Sequence, residues 1–209
     1  MGMARLPDQS HAADAQMSRR GWWGPRPLLG QRGSLTKALG RRLAAEVVVE
    51  LLASRPIRLH GLQARRLRLK PGSQALRREV FLWCGGQRVL FARSIFPLAS
   101  LRGKGRCLKH LGQRPLGDFL FAGRRWSATV QRRRMVMVRL LRGHEDYLAL
   151  RAWPATRSFS QPLWGRRSTL LPGAAPITIH EYVLAASTSR APARTLGTGA
   201  TGPLPLRSR

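Results

Sequence analysis

Apolar and polar residues alternate along several stretches of this 209-residue chain, and this alternation predicts β-strands. The last two such stretches are Leu163–Leu171 and Ile177–Ala185, which are separated by Pro172 and Gly173. A Pro-Gly pair between apolar runs favours a tight turn. The sequence therefore predicts a β-hairpin near the C-terminal end.

One residue in the second strand of this hairpin breaks the apolar pattern. Side chains alternate between the two faces of a strand, so Glu181 shares a face with the apolar residues Ile179 and Val183. A carboxylate on an apolar face is costly unless it is paired or hydrogen-bonded. Glu181 lies either at a wet margin of the sheet or inside a functional pocket, and the pattern leaves both interpretations open.

A second hairpin is predicted in the middle of the chain. The strands Arg77–Cys84 and Gln87–Phe96 flank Gly85-Gly86, a two-residue loop suited to turns with positive φ. The expected pairs are Cys84 with Gln87, Leu82 with Val89, Val80 with Phe91 and Arg78 with Arg93. The two arginines either splay into solvent at a sheet edge or converge on an anion, because guanidinium groups bind carboxylates through two hydrogen bonds.

Further strands and short helices complete the predicted pattern. Ser34 is a suitable N-cap for a helix over Leu35–Leu43. The other expected elements are strands over Ala45–Ala53 and Ser127–Leu141, short helices over Gly105–Leu111 and Leu116–Ala122, and a turn or short helix at Gly143–Tyr147. For residues 54–70, the pattern leaves a strand and a covering loop open.

The two ends of the chain differ in composition from the middle. Residues 1–33 are polar and rich in Gly, Pro and Arg, and residues 189–209 contain few large apolar side chains. Such segments bury too little surface to offset the entropy of ordering. We therefore expect one domain over residues 34–188, between a poorly ordered extension and a disordered tail. The apolar residues of the extension that are suited to lie against this domain are Trp22, Trp23, Leu28 and Leu29.

The composition adds an unusually high positive charge. The chain has 38 basic and 9 acidic residues, for a net charge of +29, and all but four of the basic residues are arginine. This charge raises nucleic-acid binding as an alternative function. Against it, the arginines are spread along the whole chain and few aromatic side chains lie among them. We expect nonspecific attraction of polyanions and of small anionic metabolites.

Cysteine usage and hydropathy indicate the cellular compartment of the protein. Cys84 and Cys107 form no CxxC motif, and no His stands at zinc-ligand spacing from them. The sequence therefore predicts no metal site and two buried thiols in a reducing cytoplasm. No apolar run reaches the roughly 18 residues of a membrane span, and no signal-peptide core is present, so a cytoplasmic location is expected.

Four separated segments resemble the chorismate lyase family, in the family's order. They are Ser34-Leu35-Thr36-Lys37; Arg78-Glu79 through Arg93 and Pro97; Leu111-Gly112 with Pro115-Leu116-Gly117 and Phe119-Leu120-Phe121; and Trp164–Ser187, which begins with Trp164-Gly165-Arg166-Arg167-Ser168. One of these motifs alone is a weak signal. Four of them in order, with matching internal spacing, make the resemblance moderately specific.

The resemblance implies both a fold and a reaction. The implied fold is α+β, with a single antiparallel sheet of about six strands, short helices packed against it and an internal ligand pocket. The implied enzyme is a monomeric lyase that needs no cofactor. It converts chorismate to 4-hydroxybenzoate and pyruvate, at the head of ubiquinone biosynthesis.

The resemblance also assigns residues to the site. By motif position, Arg78 is the arginine that binds the ring carboxylate, and Glu181 meets the oxygen at the ring 4-position and is the candidate for proton transfer. Leu35 and Leu116 line the pocket. Arg93 is expected to bind the enolpyruvyl carboxylate or to stabilise the leaving group.

Two adjacent arginines and one other class of protein complete the expectations. Arg166 and Arg167 follow each other in one strand, so at most one of them is expected to reach the pocket.

The same fold resembles effector domains of some bacterial transcription regulators, which makes a non-enzymatic module that binds small aromatic acids an alternative. Such regulators carry a helix-turn-helix domain first, and residues 1–33 are too short and too rich in Gly and Pro to form one.

Overall fold

Six antiparallel strands form a single sheet in the computed structural model, which describes residues 25–31, 33–121, 131–153, 163–172 and 175–187. The strands are β1 (Val47–Arg58), β2 (Gln74–Cys84), β3 (Gln87–Pro97), β4 (Gln131–Leu140), β5 (Leu163–Leu171) and β6 (Ile177–Ser187). Their order across the sheet is β1-β2-β3-β6-β5-β4. The predicted α+β class with one six-stranded antiparallel sheet is confirmed.

Short helices connect the strands. The described α-helices are α1 (Pro25–Leu29), α2 (Leu35–Leu43), α3 (Gly61–Leu67), α4 (Leu116–Phe121) and α5 (Glu145–Arg151), and 3₁₀ helices span Leu98–Leu101 and Gly103–His110. None of them is long and apolar enough to cross a membrane. At the start of α2, the side chain of Ser34 accepts a hydrogen bond from the Lys37 amide. The helix ends at Ala44, which adopts the left-handed conformation, so both predicted ends are confirmed.

The β2–β3 hairpin turns where the sequence predicts, but its register differs from the predicted one. Gly85 and Gly86 both have positive φ, as a two-residue hairpin loop requires. Beyond the turn, Val89 forms a β-bulge, so Leu82 pairs with Leu90 instead of Val89. The following pairs are all shifted by one residue: Phe81 with Phe91, Val80 with Ala92, Glu79 with Arg93, and Arg78 with Ser94.

The two faces of the sheet carry separate apolar cores. On the front face, which α1, α2 and α4 cover, one cluster packs under α1 and α2 and a second packs under α4 and the 3₁₀ helices. On the back face, aromatic residues such as Phe81, Trp83 and Phe91 pack with α5, and a smaller cluster packs under α3. The space between the two front-face clusters is the setting of the candidate site.

Several local expectations can be compared with this fold. β1 extends to Arg58, and α3 occupies part of the stretch that the sequence left open. Leu28 and Leu29 are buried in the front-face core, as the sequence suggested. Cys84 is buried as expected, whereas Cys107 is exposed, because it lies on the solvent side of a 3₁₀ helix.

Some expectations fall on residues outside the described ranges. These are Trp22, Trp23 and most of the N-terminal extension, the first residues of the strand expected from Ser127, Gly173 of the last hairpin, and the C-terminal tail. The proposed domain boundaries at residues 34 and 188 stay predictions.

Candidate active site

A cavity lies on the front face between the two apolar clusters. Strands β2, β3, β5 and β6 form its floor, and the first turns of α2 and α4 form part of its wall. Its empty volume is about 530 Å³, including the space at its mouth. Most of its lining is apolar, and its charged side chains are Arg78, Arg166 and Glu181.

Arg78 is a buried cation in this cavity, and the family resemblance had placed it in the pocket. Its side chain is on the front face of β2, only 4% of the residue is exposed, and its Nη2 donates hydrogen bonds to the carbonyls of Gly112 (2.9 Å) and Arg114 (3.0 Å). No carboxylate of the described residues forms an ion pair with it. Burial lowers the pKa of Arg78 from 12.5 to about 10, because desolvation disfavours the charged form of the guanidinium.

Glu181 lies inside the cavity rather than at a wet margin of the sheet. It projects from β6 beside Ile179, and it pairs directly across the strands with Arg166 of β5. Nε and Nη2 of Arg166 donate to the two carboxylate oxygens of Glu181, at 2.5 and 3.3 Å. This paired arrangement explains how the apolar face accommodates a carboxylate.

Arg166 and Arg167 point to opposite faces, as alternation predicts, and Arg166 is the one that reaches the cavity. Arg167 is half-buried on the back face. Burial and the charges of Arg66 and Arg134 lower its pKa. The sequence did not identify which of the two faces the site, because that depends on how β5 pairs with β6.

Leu35 and Leu116 both line the cavity, as the family resemblance implied. Each is the first residue of its helix, and a close approach holds the two helix starts together. A methyl group on Gly117 would overlap the side chain of Ser34, the N-cap of α2. Glycine at position 117 therefore lets the two helix ends meet at one end of the cavity.

The structure contradicts the expected position of Arg93. Because the bulge at Val89 shifts the register by one residue, Arg93 pairs with Glu79 and faces the back of the sheet instead of the cavity. There it is 2% exposed, and its Nε donates to Glu79 at 2.9 Å. The assignment of Arg93 to substrate binding or leaving-group stabilisation is therefore wrong.

Arg93 belongs to a buried polar network centred on Asp146, which is fully buried at the start of α5. Asp146 binds Arg93 Nη1, His180 Nδ1 (2.6 Å) and the Tyr182 hydroxyl (2.7 Å). Burial alone would raise the pKa of Asp146, but the hydrogen bond and charge of His180, with Arg93 and Tyr182, hold it well below its usual range.

Sequence reasoning missed this network because its members are far apart in the chain. It identified Gly143–Tyr147 only as a turn or short helix, and His180 was not among the predicted site residues. A back-facing His at position 180 beside a front-facing Glu was a signal that β6 carries polar groups on both faces. Within the described ranges, no three His, Cys, Asp or Glu side chains are grouped so as to hold a metal ion.

Comparisons with known proteins identify the relatives of this chain. The family model described as chorismate lyase matches residues 26–191. A protein named "Probable chorismate pyruvate-lyase" from Methylococcus capsulatus is 38% identical over 161 residues, which cover 75% of this chain and 91% of that protein. A protein of the same name from Methylobacillus flagellatus is 34% identical over 163 residues, covering 76% and 85%.

A solved structure shares the fold without sharing much of the sequence. PhnF from Mycobacterium smegmatis aligns with a TM-score of 0.51 at 19% identity, over 74% of this chain and 64% of that one. This likeness shows the fold alone. The family model matches most of this chain, and the curated relatives align with it over most of their own length. This chain therefore belongs to the chorismate lyase family.

Proposed function

We propose that this protein converts chorismate to 4-hydroxybenzoate and pyruvate, as the first step of ubiquinone biosynthesis. The observation that carries the proposal is Arg78, a buried guanidinium that lines the cavity and has no carboxylate partner among the described residues. A carboxylate on a bound molecule would supply the missing counter-charge. The names of the curated relatives support chorismate as that molecule.

The positions of Arg78 and Glu181 suit a para-substituted ring. β3 lies between their two strands, which places β2 and β6 roughly 10 Å apart. We assign Arg78 to the ring carboxylate and Glu181 to the oxygen at the ring 4-position. Leu35 and Leu116 supply apolar contacts for the ring between these two polar ends.

The reaction is an elimination. The bond between the ring carbon and the ether oxygen breaks, and its electron pair leaves with enolpyruvate. A proton leaves the neighbouring ring carbon, which carries the hydroxyl group, and the ring becomes aromatic. Enolpyruvate takes up a proton on its methylene carbon to become pyruvate, so no net proton is consumed. We assign the proton transfer to Glu181, since it is the described carboxylate that lines the cavity.

The protein's part in this reaction is positioning and electrostatic stabilisation. Formation of the aromatic ring supplies driving force, so the proposal includes no cofactor. The site needs to hold a dianion in a reactive pose and to stabilise the negative charge that grows on the departing oxygen. The cavity offers guanidinium groups for both tasks.

The test is an assay that follows both products from chorismate, without added metal or cofactor. We expect equimolar 4-hydroxybenzoate and pyruvate from the wild type, and a loss of at least about 100-fold in kcat/KM for Arg78→Ala and for Glu181→Gln. Arg77→Ala is the matched control, because Arg77 is the neighbouring arginine on the back face and should retain most of the activity.

Other results would point to other functions. Saturable binding of 4-hydroxybenzoate without turnover would indicate a binding module on the same fold. Neither turnover nor binding, together with sequence-independent DNA binding that falls steeply with salt, would favour a nucleic-acid-binding protein. Either result would refute the proposed reaction. The monomeric state and the cytoplasmic location stay predictions.

A further inference from the structure

The proposed substrate carries two carboxylates, and only the ring carboxylate has been assigned a partner. The second carboxylate belongs to the enolpyruvyl group, which departs in the reaction. Two cations line the cavity among the described residues, Arg78 and Arg166. With Arg93 on the back face, Arg166 is the described guanidinium that remains for the second carboxylate.

Arg166 lies on the correct side of Glu181 for this role. Arg78 is on β2, two strands to one side of Glu181, whereas Arg166 is on β5, the adjacent strand on the other side. The enolpyruvyl ether is attached next to the ring carbon that bears the hydroxyl group. A ring with its carboxylate on Arg78 and its hydroxyl at Glu181 therefore has this ether at the end of the cavity where Arg166 lies.

The hydrogen bonds of Arg166 leave donors for a ligand. A guanidinium has five N–H groups. Nε and Nη2 donate to Glu181, and Nη1 donates to the carbonyl of Gln31. One N–H on each terminal nitrogen has no acceptor among the described residues. Donors on the two terminal nitrogens of one guanidinium are the arrangement that binds a carboxylate through two hydrogen bonds.

The charge balance of the site supports the same role. Arg166 and Glu181 neutralise each other, and Arg78 leaves the described lining with a single net positive charge. A monoanionic product matches that charge, whereas a dianionic substrate exceeds it by one. The second carboxylate and Glu181 then share one guanidinium, each on its own edge, and the excess negative charge leaves the site with enolpyruvate.

We infer that Arg166 binds the enolpyruvyl carboxylate of the substrate and stays bound to Glu181 on its other edge. This inference rests on the proposed function and names the residue that recognises the leaving half. As the ether bond breaks, the same guanidinium lies beside the oxygen that gains the electron pair, so it is also placed to stabilise the leaving group.

The test uses two ligands to distinguish recognition of the ring carboxylate from recognition of the enolpyruvyl carboxylate. The first ligand is 4-hydroxybenzoate, which has only the ring carboxylate. The second is 3-(carboxymethoxy)-4-hydroxybenzoate, which adds an ether-linked carboxylate next to the hydroxyl, as in chorismate. The dissociation constants of both are measured by calorimetry for the wild type, Arg166→Gln and the matched control Arg167→Gln, which changes the neighbouring arginine on the back face.

We expect the added carboxylate to improve binding by about tenfold in the wild type and in Arg167→Gln, and to give almost no gain in Arg166→Gln. The dissociation constant of 4-hydroxybenzoate should change only a few-fold in Arg166→Gln. The kcat/KM of this variant for chorismate should fall about 100-fold. If circular dichroism shows that Arg166→Gln does not fold, Arg166→Lys replaces it in the test. In that variant the added carboxylate should improve affinity less than in the wild type, because an ammonium group lacks the paired donors of a guanidinium.

The outcomes distinguish the inference from the proposed function. Wild-type turnover together with an unchanged carboxylate gain in the Arg166 variant would overturn the inference and leave the proposed function standing. An equal loss of affinity for both ligands would also overturn it, because the role of Arg166 would then be limited to holding Glu181. Absence of wild-type turnover would refute the proposed function and the inference with it.

Discussion

At the scale of single residues, Arg78 is costly for the fold. Folding moves its guanidinium from water, where its pKa is 12.5, to a site where its pKa is about 10. Since the folded protein holds this proton less tightly than the unfolded chain, the charge destabilises the fold at every pH below about 10. The lowered pKa corresponds to a destabilisation of the fold by roughly 3 kcal/mol. The two hydrogen bonds from Arg78 to backbone carbonyls offset part of it.

This cost leads to a prediction for Arg78→Met, which removes the charge and keeps an extended side chain. We expect the melting temperature of the free variant to stay within a few degrees of the wild type, because relief of the buried charge offsets the lost hydrogen bonds. Saturating 4-hydroxybenzoate should raise the melting temperature of the wild type and leave that of the variant unchanged. Differential scanning fluorimetry measures both effects.

Arg88→Met is a suitable control for this comparison. Arg88 pairs with Glu50 and stacks on Phe81 and Trp83 at the back of the sheet, away from the cavity. The control variant should lose some stability and keep the ligand-induced increase in melting temperature. A ligand-induced increase in Arg78→Met as large as in the wild type would show that Arg78 does not hold the carboxylate.

At the scale of elements, Asp146 fastens α5 to two strands of the sheet. Its partners Arg93, His180 and Tyr182 lie on β3 and β6, and each is next in sequence to a residue that lines the cavity. Folding lowers the pKa of Asp146, so its ionised form stabilises the fold. That contribution is complete above the unfolded pKa of about 4 and is lost as the pH falls towards the lower folded pKa.

For Asp146→Asn, we therefore expect a loss of about 3 kcal/mol in the free energy of unfolding at pH 7, since the change leaves Arg93 with one carboxylate fewer in a buried site. The difference from the wild type should be constant between about pH 5 and 7 and should narrow below about pH 4. Urea unfolding at a series of pH values measures this dependence.

Asp118→Asn on α4 provides the comparison, because Asp118 is partly exposed and its Oδ1 is 3.9 Å from Nζ of Lys37. This longer, partly exposed pair should contribute less than about 1 kcal/mol. A difference between Asp146→Asn and the wild type that widens in acid would contradict the assignment of Asp146 as an ionised buried partner.

The elements also show what the sequence could predict. The N-cap at Ser34 and the turn at Gly85-Gly86 were predicted correctly, because both act through bonds to near neighbours in the chain. Arg78, Glu181, Leu35 and Leu116 were placed in the cavity by the family resemblance, and alternation supported the two charged ones. The bulge at Val89 was not predicted, because pairing beyond the turn depends on packing across the whole sheet.

At the scale of the whole molecule, a net charge of +29 surrounds a site that we propose takes a dianion. A field of this sign raises the rate at which anionic substrates arrive, and salt screens it over about 10 Å at 0.1 M. We expect kcat/KM for chorismate to fall about tenfold between low salt and about 0.5 M NaCl, with kcat nearly constant. Steady-state kinetics at several salt concentrations measures this effect.

A double charge reversal, Arg41→Glu with Arg42→Glu, tests whether the field causes this dependence. Both residues are exposed in the last turn of α2 and do not line the cavity. The variant should have a lower kcat/KM than the wild type at low salt and the same value at high salt. A difference that persists at high salt would indicate a local effect of the substitutions instead of long-range attraction.

The bulge at Val89 decides which side chains of β3 face the cavity. A regular ladder that paired Val89 with Leu82 would turn over the rest of the strand, so that Arg93 entered the cavity while Ala92 and Ser94 moved to the back of the sheet. Point substitutions change one face at a time, whereas loss of this bulge without loss of a residue would exchange the two faces at once. The lining of the cavity therefore depends on one residue of β3 that has no paired residue on β2.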